Sequence, residues 1–293
     1  MAAKKLNLDS FVVKPNAKVK LSNFDPGFTN GYEDKKAARA QLDAGVKQLA
    51  KYQDVLYAHD QYAVLLIFQA MDAAGKDSTI KHVMSGVNPQ GCQVFNFKAP
   101  SDEELDHTFL WRSMKCLPER GRIGIFNRSY YEEVLIARVH PEILGKQKLP
   151  TKLVDQKIWQ QRFEDINNFE HYLTNNGVVV VKFFLHLSKQ EQKKRFLARI
   201  DRPAKNWKFH IADVQERQFW DEYNDAYEDV FNHTSTKWAP WHIIPADHKW
   251  FTRLVVAKII VKKLEKLKLH YPKMSDDHRH HLIQARMMLE SEE

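Results

Sequence analysis

Short, continuous runs of apolar residues alternate with longer segments whose apolar positions recur at the period of a helix. Two of the runs, at 63–69 and 178–187, consist mainly of aliphatic and aromatic residues, which is typical of buried strands. Three more strands are predicted at 93–97, 122–126 and 241–245. Helices are predicted between and around them, at 32–55, 76–84, 101–115, 129–139, 151–172, 188–200, 213–231 and 247–269.

Three of the predicted helices begin with a serine that is followed three residues later by a glutamate. In this capping box the serine hydroxyl accepts a hydrogen bond from a free N–H of the first turn, and the glutamate carboxylate accepts one from the serine N–H. The pairs are Ser101 with Glu104, Ser129 with Glu132 and Ser188 with Glu191. Their positions predict where these helices start.

The order of elements indicates an α/β fold. Strands and helices alternate about five times, which favours a parallel sheet with helices on both faces. No repeat or low-complexity linker divides the chain, so one domain over 31–270 is more economical than two. The segment 1–30 contains several Pro and Gly breakers and is expected to form an N-terminal arm. The segment 271–293 is expected to form a polar tail.

A tight turn joins the strand at 63–69 to the next helix and resembles a phosphate-binding loop. The loop pattern is G-x-x-x-x-G-K-[ST], and Gly75 and Lys76 occupy its second glycine and its lysine. Ala70 stands where the first glycine belongs, and Asp77 stands where a hydroxyl residue is usual. In such a turn, backbone N–H groups face a phosphate and the lysine adds a positive charge. The predicted phosphate-binding residues here are Ala73, Ala74, Gly75, Lys76, Asp77 and Ser78.

Asp72 is an unusual member of this turn, because a carboxylate inside a phosphate loop repels phosphates unless a cation or a proton intervenes. We expect Asp72, together with Asp77, to hold a magnesium ion, or Asp72 to orient the attacking oxygen. The alternative for Asp72 is a turn-forming aspartate that caps its own backbone. The alternative for the whole segment is an ordinary strand-to-helix turn with an aspartate cap.

The strand at 122–126 leads directly into polar residues that we expect at the same cleft, because strand carboxyl ends line the ligand crevice of α/β sheets. Asn127 takes the place where phosphate-loop enzymes often have an aspartate that supports magnesium. Arg128 is expected to contact a phosphate, a surface ion pair being the alternative. Glu132 either orients the acceptor or a metal-bound water, or serves only its capping box. The predicted catalytic residues are Asp72, Lys76, Asn127, Arg128 and Glu132.

Basic side chains crowd into the segment 189–212. Arg195, Arg199 and Arg202 recur at i, i+4 and i+7, on one helix face, and guanidinium groups bind phosphate oxygens in pairs. The whole chain of 293 residues has 45 Lys and Arg against 37 Asp and Glu, a net charge of +8 that favours a polyanionic partner. We expect a helical lid that closes over a polyanion, a solvated basic face being the alternative. Its predicted phosphate-binding residues are Lys194, Arg195, Arg199, Arg202, Lys205 and Lys208.

Four motifs resemble, in their residues and in their order along the chain, those of the polyphosphate kinase 2 family. They are MDAAGKD at 71–77, FNRSYYEE at 126–133, KRFLARIDRP with NWK at 194–208, and APW with PADHKW at 239–250. The resemblance covers about residues 30–270 and implies a P-loop kinase fold with a lid, which uses inorganic polyphosphate and magnesium. Many members carry aspartate at the position of Asn127. The motif with asparagine, NRSYYEE at 127–133, resembles that of the subgroup that phosphorylates both nucleoside monophosphates and diphosphates. A neutral amide repels an additional phosphate less than a carboxylate would.

The resemblance also implies the partners. AMP, ADP and ATP are the expected nucleotides, guanine nucleotides are left open, and family members tend to assemble into homo-oligomers. No membrane is expected, since no apolar run approaches the roughly 20 residues of a membrane helix. Nucleic acid is not expected either, because the chain shows none of the common nucleic-acid-binding motifs. Two cysteines, Cys92 and Cys116, stand outside any metal-binding spacing, which favours the reducing cytoplasm. The tryptophans are expected mainly in the core.

Two other functions stay open at the level of sequence. An ATP-dependent nucleoside monophosphate kinase would share the loop and the lid, but it would ignore polyphosphate. A nucleic-acid-binding protein would use the basic surface and show salt-sensitive binding without nucleotide turnover. Against the second, the chain carries no helix-turn-helix, zinc or RNA-binding sheet signature.

Overall fold

The computed structural model of the chain describes residues 6–32 and 35–292. Its centre is a sheet of five parallel strands in the order β2-β3-β1-β4-β5. The strands are β1 (Ala63–Gln69), β2 (Cys92–Asn96), β3 (Ile123–Asn127), β4 (Val178–His186) and β5 (Trp241–Pro245). All five predicted strands are present, with ends within one residue of the prediction, and the predicted α/β sheet is confirmed.

Helices flank the sheet on both faces. They are α1 (Lys35–His59), α2 (Lys76–Val83), α3 (Asp102–Leu105), α4 (Trp111–Met114), α5 (Ile136–Val139), α6 (Pro141–Gly145), α7 (Ile158–Asn175), α8 (Lys189–Ile200), α9 (Pro203–Asn206), α10 (Ile211–Gln215), α11 (Trp220–Thr234), α12 (Lys249–Lys266) and α13 (Asp276–Glu290). Within the described ranges, no helix combines the length and apolarity needed to cross a membrane.

The core consists of two apolar layers, one on each face of the sheet. All seven residues of β1 are buried, because this strand lies at the centre of the sheet. Its alternate side chains divide between the layers: Leu66 and Phe68 join residues of α1, α2 and α12, whereas Leu65 and Ile67 join residues of α7 and α11. A strand buried on both faces is apolar at nearly every position, which explains why β1, apolar from Ala63 to Phe68, is conspicuous in the sequence.

The segment 6–32, which belongs to the predicted N-terminal arm, packs along the outer strand β5. Val12 forms an isolated antiparallel bridge with His242. The Val13 N–H donates to the Trp241 carbonyl oxygen at 2.9 Å. This contact covers an edge strand whose unpaired backbone groups would otherwise be open to another chain.

The predicted helix at 101–115 is wrong in its continuity, since it is divided into α3 and α4. Ser101 does form the predicted capping box with Glu104, but α3 ends after one turn. On α4, Arg112 is buried and donates to the Lys98 carbonyl oxygen at 2.8 Å. This tertiary contact places the second segment independently of the first.

The segment 129–139 also departs from the predicted regular helix. The Ser129 hydroxyl accepts a hydrogen bond from the Tyr131 N–H at 3.2 Å, rather than from Glu132. The chain therefore forms a tighter 3-10 helix, Tyr130–Val134, before α5 begins. At α8, by contrast, the predicted start is confirmed, because Glu191 donates its N–H to the Ser188 hydroxyl at 3.0 Å.

Two long predicted helices are interrupted. The one at 151–172 begins only with α7, after the Asp155 side chain accepts from the Lys157 N–H at 2.8 Å. The one at 213–231 is divided by a 3-10 turn, Glu216–Phe219, beyond which α11 turns to bury Trp220. The predicted polar tail also contains regular structure, the exposed helix α13.

A buried charged network lies beneath the loop that follows β3. The fully buried Lys182 ammonium donates to Glu170 at 2.6 Å, to the Tyr131 hydroxyl at 2.8 Å and to the Thr234 carbonyl oxygen at 2.7 Å. The hydroxyls of Tyr130 and Tyr131 both donate to the same Glu170 carboxylate, each at 2.8 Å. Because each of these groups has partners, the network holds the two tyrosines, and with them the start of the loop, in one arrangement.

His242 on β5 predicts an acid-sensitive contribution to stability. Its buried imidazole lies with Nδ1 3.0 Å from the Lys182 carbonyl oxygen, and burial, with the charge of Lys263, lowers the pKa of His242 to about 3. Below the unfolded pKa of about 6.5, the unfolded chain binds a proton that the folded chain does not. The contribution of His242 to the free energy of unfolding is therefore complete above about pH 6.5. It falls by about 1.4 kcal/mol for each pH unit as the pH decreases towards the pKa of the folded state.

We expect His242→Asn, which keeps a donor but cannot titrate, to lose stability less steeply than the wild type between about pH 6.5 and 4.5. Urea unfolding at a series of pH values measures the slope. His278→Asn on the exposed helix α13 is the matched control and should keep the wild-type slope. Equal slopes for His242→Asn and the wild type would show that His242 does not resist protonation in the fold.

Candidate active site

The carboxyl ends of β1 and β3 open onto one cleft of about 850 Å³. Neighbouring parallel strands end at the same edge of a sheet, so the turn after β1 and the loop after β3 meet there. The opposite wall comes from α8 and the chain that follows it, the predicted lid. The predicted site residues that line the cleft are Asp72, Ala73, Ala74, Gly75, Lys76, Asp77, Ser78, Asn127, Arg128, Arg195, Arg199, Lys205 and Lys208.

The phosphate-binding turn forms without its first glycine. Within the turn, the residues that adopt left-handed backbone angles are Ala73 (φ 60°) and Gly75 (φ 104°), and Ala70 is not among them. Gly75 is the N-cap of α2, and no side chain caps this helix. The N–H groups of the first turn, which includes Asp77, therefore face the cleft without a side-chain acceptor and can bind an anion.

Lys76 lies over the turn. Its ammonium donates to the Ala70 carbonyl oxygen at 3.0 Å. The pKa of Lys76 lies below the usual lysine value because burial disfavours the charged form and Arg128 repels it, while Asp72 opposes the shift. A phosphate in the cleft would add negative charge beside this ammonium and stabilise its charged form.

Asn127 joins the ends of three elements. Its side-chain amide donates to the Asp77 carboxylate at 2.8 Å and to the Asn96 carbonyl at 2.6 Å. Asn96 ends β2, Asn127 ends β3 and Asp77 lies in the first turn of α2. A carboxylate at position 127 would place two negative charges at hydrogen-bond distance, whereas the amide links the same groups without repulsion.

Arg128 lies between two cavities. It follows β3 in a left-handed conformation (φ 63°), and its guanidinium is 3.0 Å from the Asp72 carboxylate and 4.0 Å from that of Glu132. The attraction of Glu132, followed by that of Asp72, raises the pKa of Arg128 against the effect of burial. All three side chains line a second cavity of about 220 Å³, which Asp72 and Arg128 share with the larger cleft.

Arg195 is bound by the protein itself. Its guanidinium donates to the carbonyl oxygens of Ala73 (3.1 Å) and Ala74 (2.8 Å), and to those of Ala246 (2.7 Å) and Asp247 (2.9 Å). Its Nε donates to Glu191 at 2.9 Å. The side chain was predicted as a phosphate contact, but all three of its nitrogens are engaged, and it ties the phosphate-binding turn to the connection between β5 and α12.

The remaining predicted cations of the lid differ in their surroundings. Arg199 lies 3.4 Å from the Asp213 carboxylate at the cleft. Lys205 and Lys208 line the cleft as well. The two that are exposed and stand outside its lining are Lys194 and Arg202.

Several residues of the cleft were not among the predicted site residues. They come from α2, from the end of β2 and the loop after it, from the lid, from α10 and from α12. Trp207 and Lys249 lie within the NWK and PADHKW motifs, but the motifs alone do not assign them a role. Asn96 and Lys98 could have been found, because they lie at the carboxyl end of the strand predicted at 93–97. The members without a prediction include Lys81, His82, Asn96, Lys98, Trp207, Asp213 and Lys249. With these, the cleft is lined by nine lysine and arginine side chains and three aspartates.

The oxygen donors of the cleft suit a magnesium ion that is bound together with phosphate. Asp72 and Asp77 contribute carboxylates, and Asn96 and Asn127 contribute amides. Among residues 6–32 and 35–292, no three His, Cys, Asp or Glu side chains cluster as a metal site of their own. Magnesium keeps several waters and is usually held by one or two carboxylates and the substrate phosphates, so this donor set fits it.

Comparison with known proteins gives consistent matches over nearly the whole chain. A family model described as Polyphosphate kinase 2 (PPK2) matches residues 32–272. An ADP-polyphosphate phosphotransferase of Rhodopseudomonas palustris is 52% identical over 286 residues, covering 97% of this chain and 99% of that protein. An AMP/ADP-polyphosphate phosphotransferase of Meiothermus ruber is 42% identical over 266 residues, covering 90% and 96%. The crystal structure of Polyphosphate Kinase 2 from Arthrobacter aurescens TC1 superposes with a TM-score of 0.85 at 40% identity, covering 96% and 98%.

Arg195 provides a test of how the turn is held. We expect Arg195→Met, which keeps the length of the side chain, to lower the free energy of unfolding by about 3 kcal/mol or more, because it leaves carbonyl oxygens and Glu191 without their partner. Urea unfolding measures the change. The matched control is Arg202→Met on the exposed part of the lid, for which we expect a change within about 0.5 kcal/mol. Equal stability of the two variants would contradict this role.

Proposed function

The chain belongs to the polyphosphate kinase 2 family, and we propose that it transfers phosphoryl groups from inorganic polyphosphate to ADP and AMP, and back. The observation that carries the proposal is the cleft itself, in which a phosphate-binding turn faces a basic lid across about 850 Å³. Nine cations against three aspartates suit a substrate that is charged along its whole length. The names of the two relatives described above support the substrates, since both include ADP and one includes AMP.

In the proposed reaction, a terminal phosphate oxygen of the nucleotide attacks the end phosphorus of polyphosphate. The new P–O bond forms as the bridging P–O bond of the chain breaks, and the shortened polyphosphate leaves with the electron pair. Catalysis then depends on positioning and on charge stabilisation. Lys76 and the N–H groups of the turn hold the reacting phosphates, and Arg128 compensates the charge that develops on them. Asp72, paired with Arg128, lies where the two cavities meet.

Magnesium is part of the proposal. Asp72 and Asp77 are the residues that would hold it, and the ion would compensate phosphate charge and fix the geometry of transfer. The link from Asn127 to Asp77 keeps one of these carboxylates in place. Guanine nucleotides, a cytoplasmic location and assembly into homo-oligomers stay predictions.

Product analysis tests the proposal. The purified chain is mixed with polyphosphate, magnesium chloride and AMP, without ATP, and we expect it to make ADP and then ATP. Ion-exchange chromatography measures the three nucleotides over time. Lys76→Met should lower the rate by about 100-fold or more, because it removes a fixed charge from the reacting phosphates. Lys152→Met, on an exposed residue outside the cleft, is the matched control and should react like the wild type.

The outcomes of this experiment separate the alternatives. If AMP persists while ADP becomes ATP, the proposal is wrong for the monophosphate and holds for ADP. If nucleotides react only when ATP replaces polyphosphate, the chain is a nucleoside monophosphate kinase. Equal activity of Lys76→Met and the wild type would remove the turn from the mechanism.

Asn127 tests the choice of acceptor. We expect Asn127→Asp to lower kcat/KM for ADP more than for AMP, because a second carboxylate beside Asp77 repels the acceptor that carries the additional phosphate. Initial rates with each nucleotide, at saturating polyphosphate, give the ratio. Asn127→Ser, which also removes the amide donor but stays neutral, controls for the lost hydrogen bonds. An ADP to AMP ratio that is the same in Asn127→Asp and Asn127→Ser would contradict the electrostatic explanation.

A further inference from the structure

We propose that Trp207 is the platform on which the base of the nucleotide stacks when the lid covers the cleft. This inference rests on the proposed function, since it assigns a residue to the nucleotide part of the same reaction. It concerns the one half of the substrate pair that has an aromatic face.

The indole of Trp207 is largely exposed to solvent, which is unfavourable for such a large apolar surface. Trp207 is 73% exposed, whereas Trp220 is 8% exposed and Trp241 is fully buried. The expectation that the tryptophans lie in the core is therefore wrong for this one. Trp207 also lines the cleft, so its exposed surface adjoins the space for the substrates. A large aromatic surface that faces a ligand cleft is typical of a binding contact.

The position of Trp207 is set by the lid. Its indole N–H donates to the Ala204 carbonyl oxygen at 3.2 Å. The preceding residue, Asn206, donates to the carbonyl oxygens of Arg199 (2.8 Å) and Ile200 (2.7 Å), which attaches the turn to the end of α8. The ring is therefore oriented before any ligand arrives, and little conformational freedom is lost when a ligand stacks on it.

The cations around Trp207 indicate the chemistry of the ligand. The Lys208 ammonium lies over the indole, 4.7 Å from the ring centroid, and Lys205 lines the same part of the cleft. Cations beside an aromatic face match a ligand that joins a flat ring to phosphates, which is the composition of a nucleotide. Polyphosphate has no aromatic ring, so lysines alone would serve it. Stacking requires only a π-face, so adenine and guanine should both be accepted and pyrimidines should bind less tightly.

Binding measurements with and without the base test this role. Trp207→Ala should weaken ADP binding by roughly 5- to 150-fold, the range expected for one stacked base. Inorganic diphosphate, which lacks the base, should bind to the variant within about twofold of the wild type. Trp207→Phe should restore most of the affinity for ADP, because it restores an aromatic face. Titration calorimetry with magnesium gives both affinities.

Trp238→Phe is the control, since Trp238 is 39% exposed but does not line the cleft. In steady-state kinetics, Trp207→Ala should raise KM for ADP and leave KM for polyphosphate near the wild-type value. An equal loss of ADP and diphosphate binding would overturn the proposal, because the effect would then be on the phosphate site. Unchanged ADP binding would overturn it too.

Failure of the proposed function would look different. If the wild type makes no ATP from polyphosphate and ADP, but Trp207→Ala still loses ADP affinity and keeps diphosphate affinity, then stacking stands and the donor is wrong. If the wild type turns over polyphosphate and Trp207→Ala keeps the wild-type KM for ADP, the function stands and the platform is wrong. The two proposals are therefore separable in the same preparation.

Discussion

The guanidinium group of Arg195 joins the parts of the molecule that must act together. It lies on α8, and its hydrogen bonds reach the turn after β1 and the connection after β5. Such a turn contains carbonyl groups that point away from the phosphate and need donors on their outer side. A lysine could supply only a point charge there, whereas the planar group of arginine reaches several acceptors at once. The base of the lid and the phosphate-binding turn consequently form one rigid unit.

Charge is balanced differently in the cleft and behind it. In the cleft, cations outnumber carboxylates, and individual pairs such as Arg128 with Asp72 and Arg199 with Asp213 relieve only part of the repulsion. A polyanionic substrate supplies the rest, so binding is favoured by the field of the whole cleft. Behind it, Lys182 is paired with Glu170 and bonded to neighbouring oxygen atoms, which keeps the interior neutral. That neutral network supports the loop carrying Arg128 without competing for the substrate.

Much of the fold and part of the site could be predicted because the signals are local. A buried parallel strand is apolar at most positions, so β1 and β4 are visible as nearly continuous runs, broken only by polar residues such as Gln69 and Lys182. The turn after β1 is recognisable from Gly75 and Lys76. Glycine adopts a left-handed backbone without steric cost, and lysine supplies the positive charge that binds a phosphate. The ends of helices were less predictable where tertiary contacts outweighed helix propensity. Arg112 is an example, because this charged residue is held in a buried position by a hydrogen bond to the Lys98 carbonyl oxygen and not by an apolar helix pattern. The hydrogen bonds of Arg195 to backbone carbonyl oxygens could not be predicted, because a basic helix face does not show which of its cations meet a carbonyl and which meet solvent.

By itself, the sequence determined the order of strands and helices, the phosphate-binding turn and the family motifs, because each depends on residues close together in the chain. Only the tertiary structure decided which polar residues share the cleft. Asn96, Trp207 and Lys249 come from distant segments, and their proximity follows from the packing of β2, the lid and α12 around one sheet edge. The same packing decided that Arg195 donates to backbone carbonyl oxygens and that Trp207 is exposed. Both outcomes depend on which atoms surround a side chain in space, and the period of a helix does not specify that.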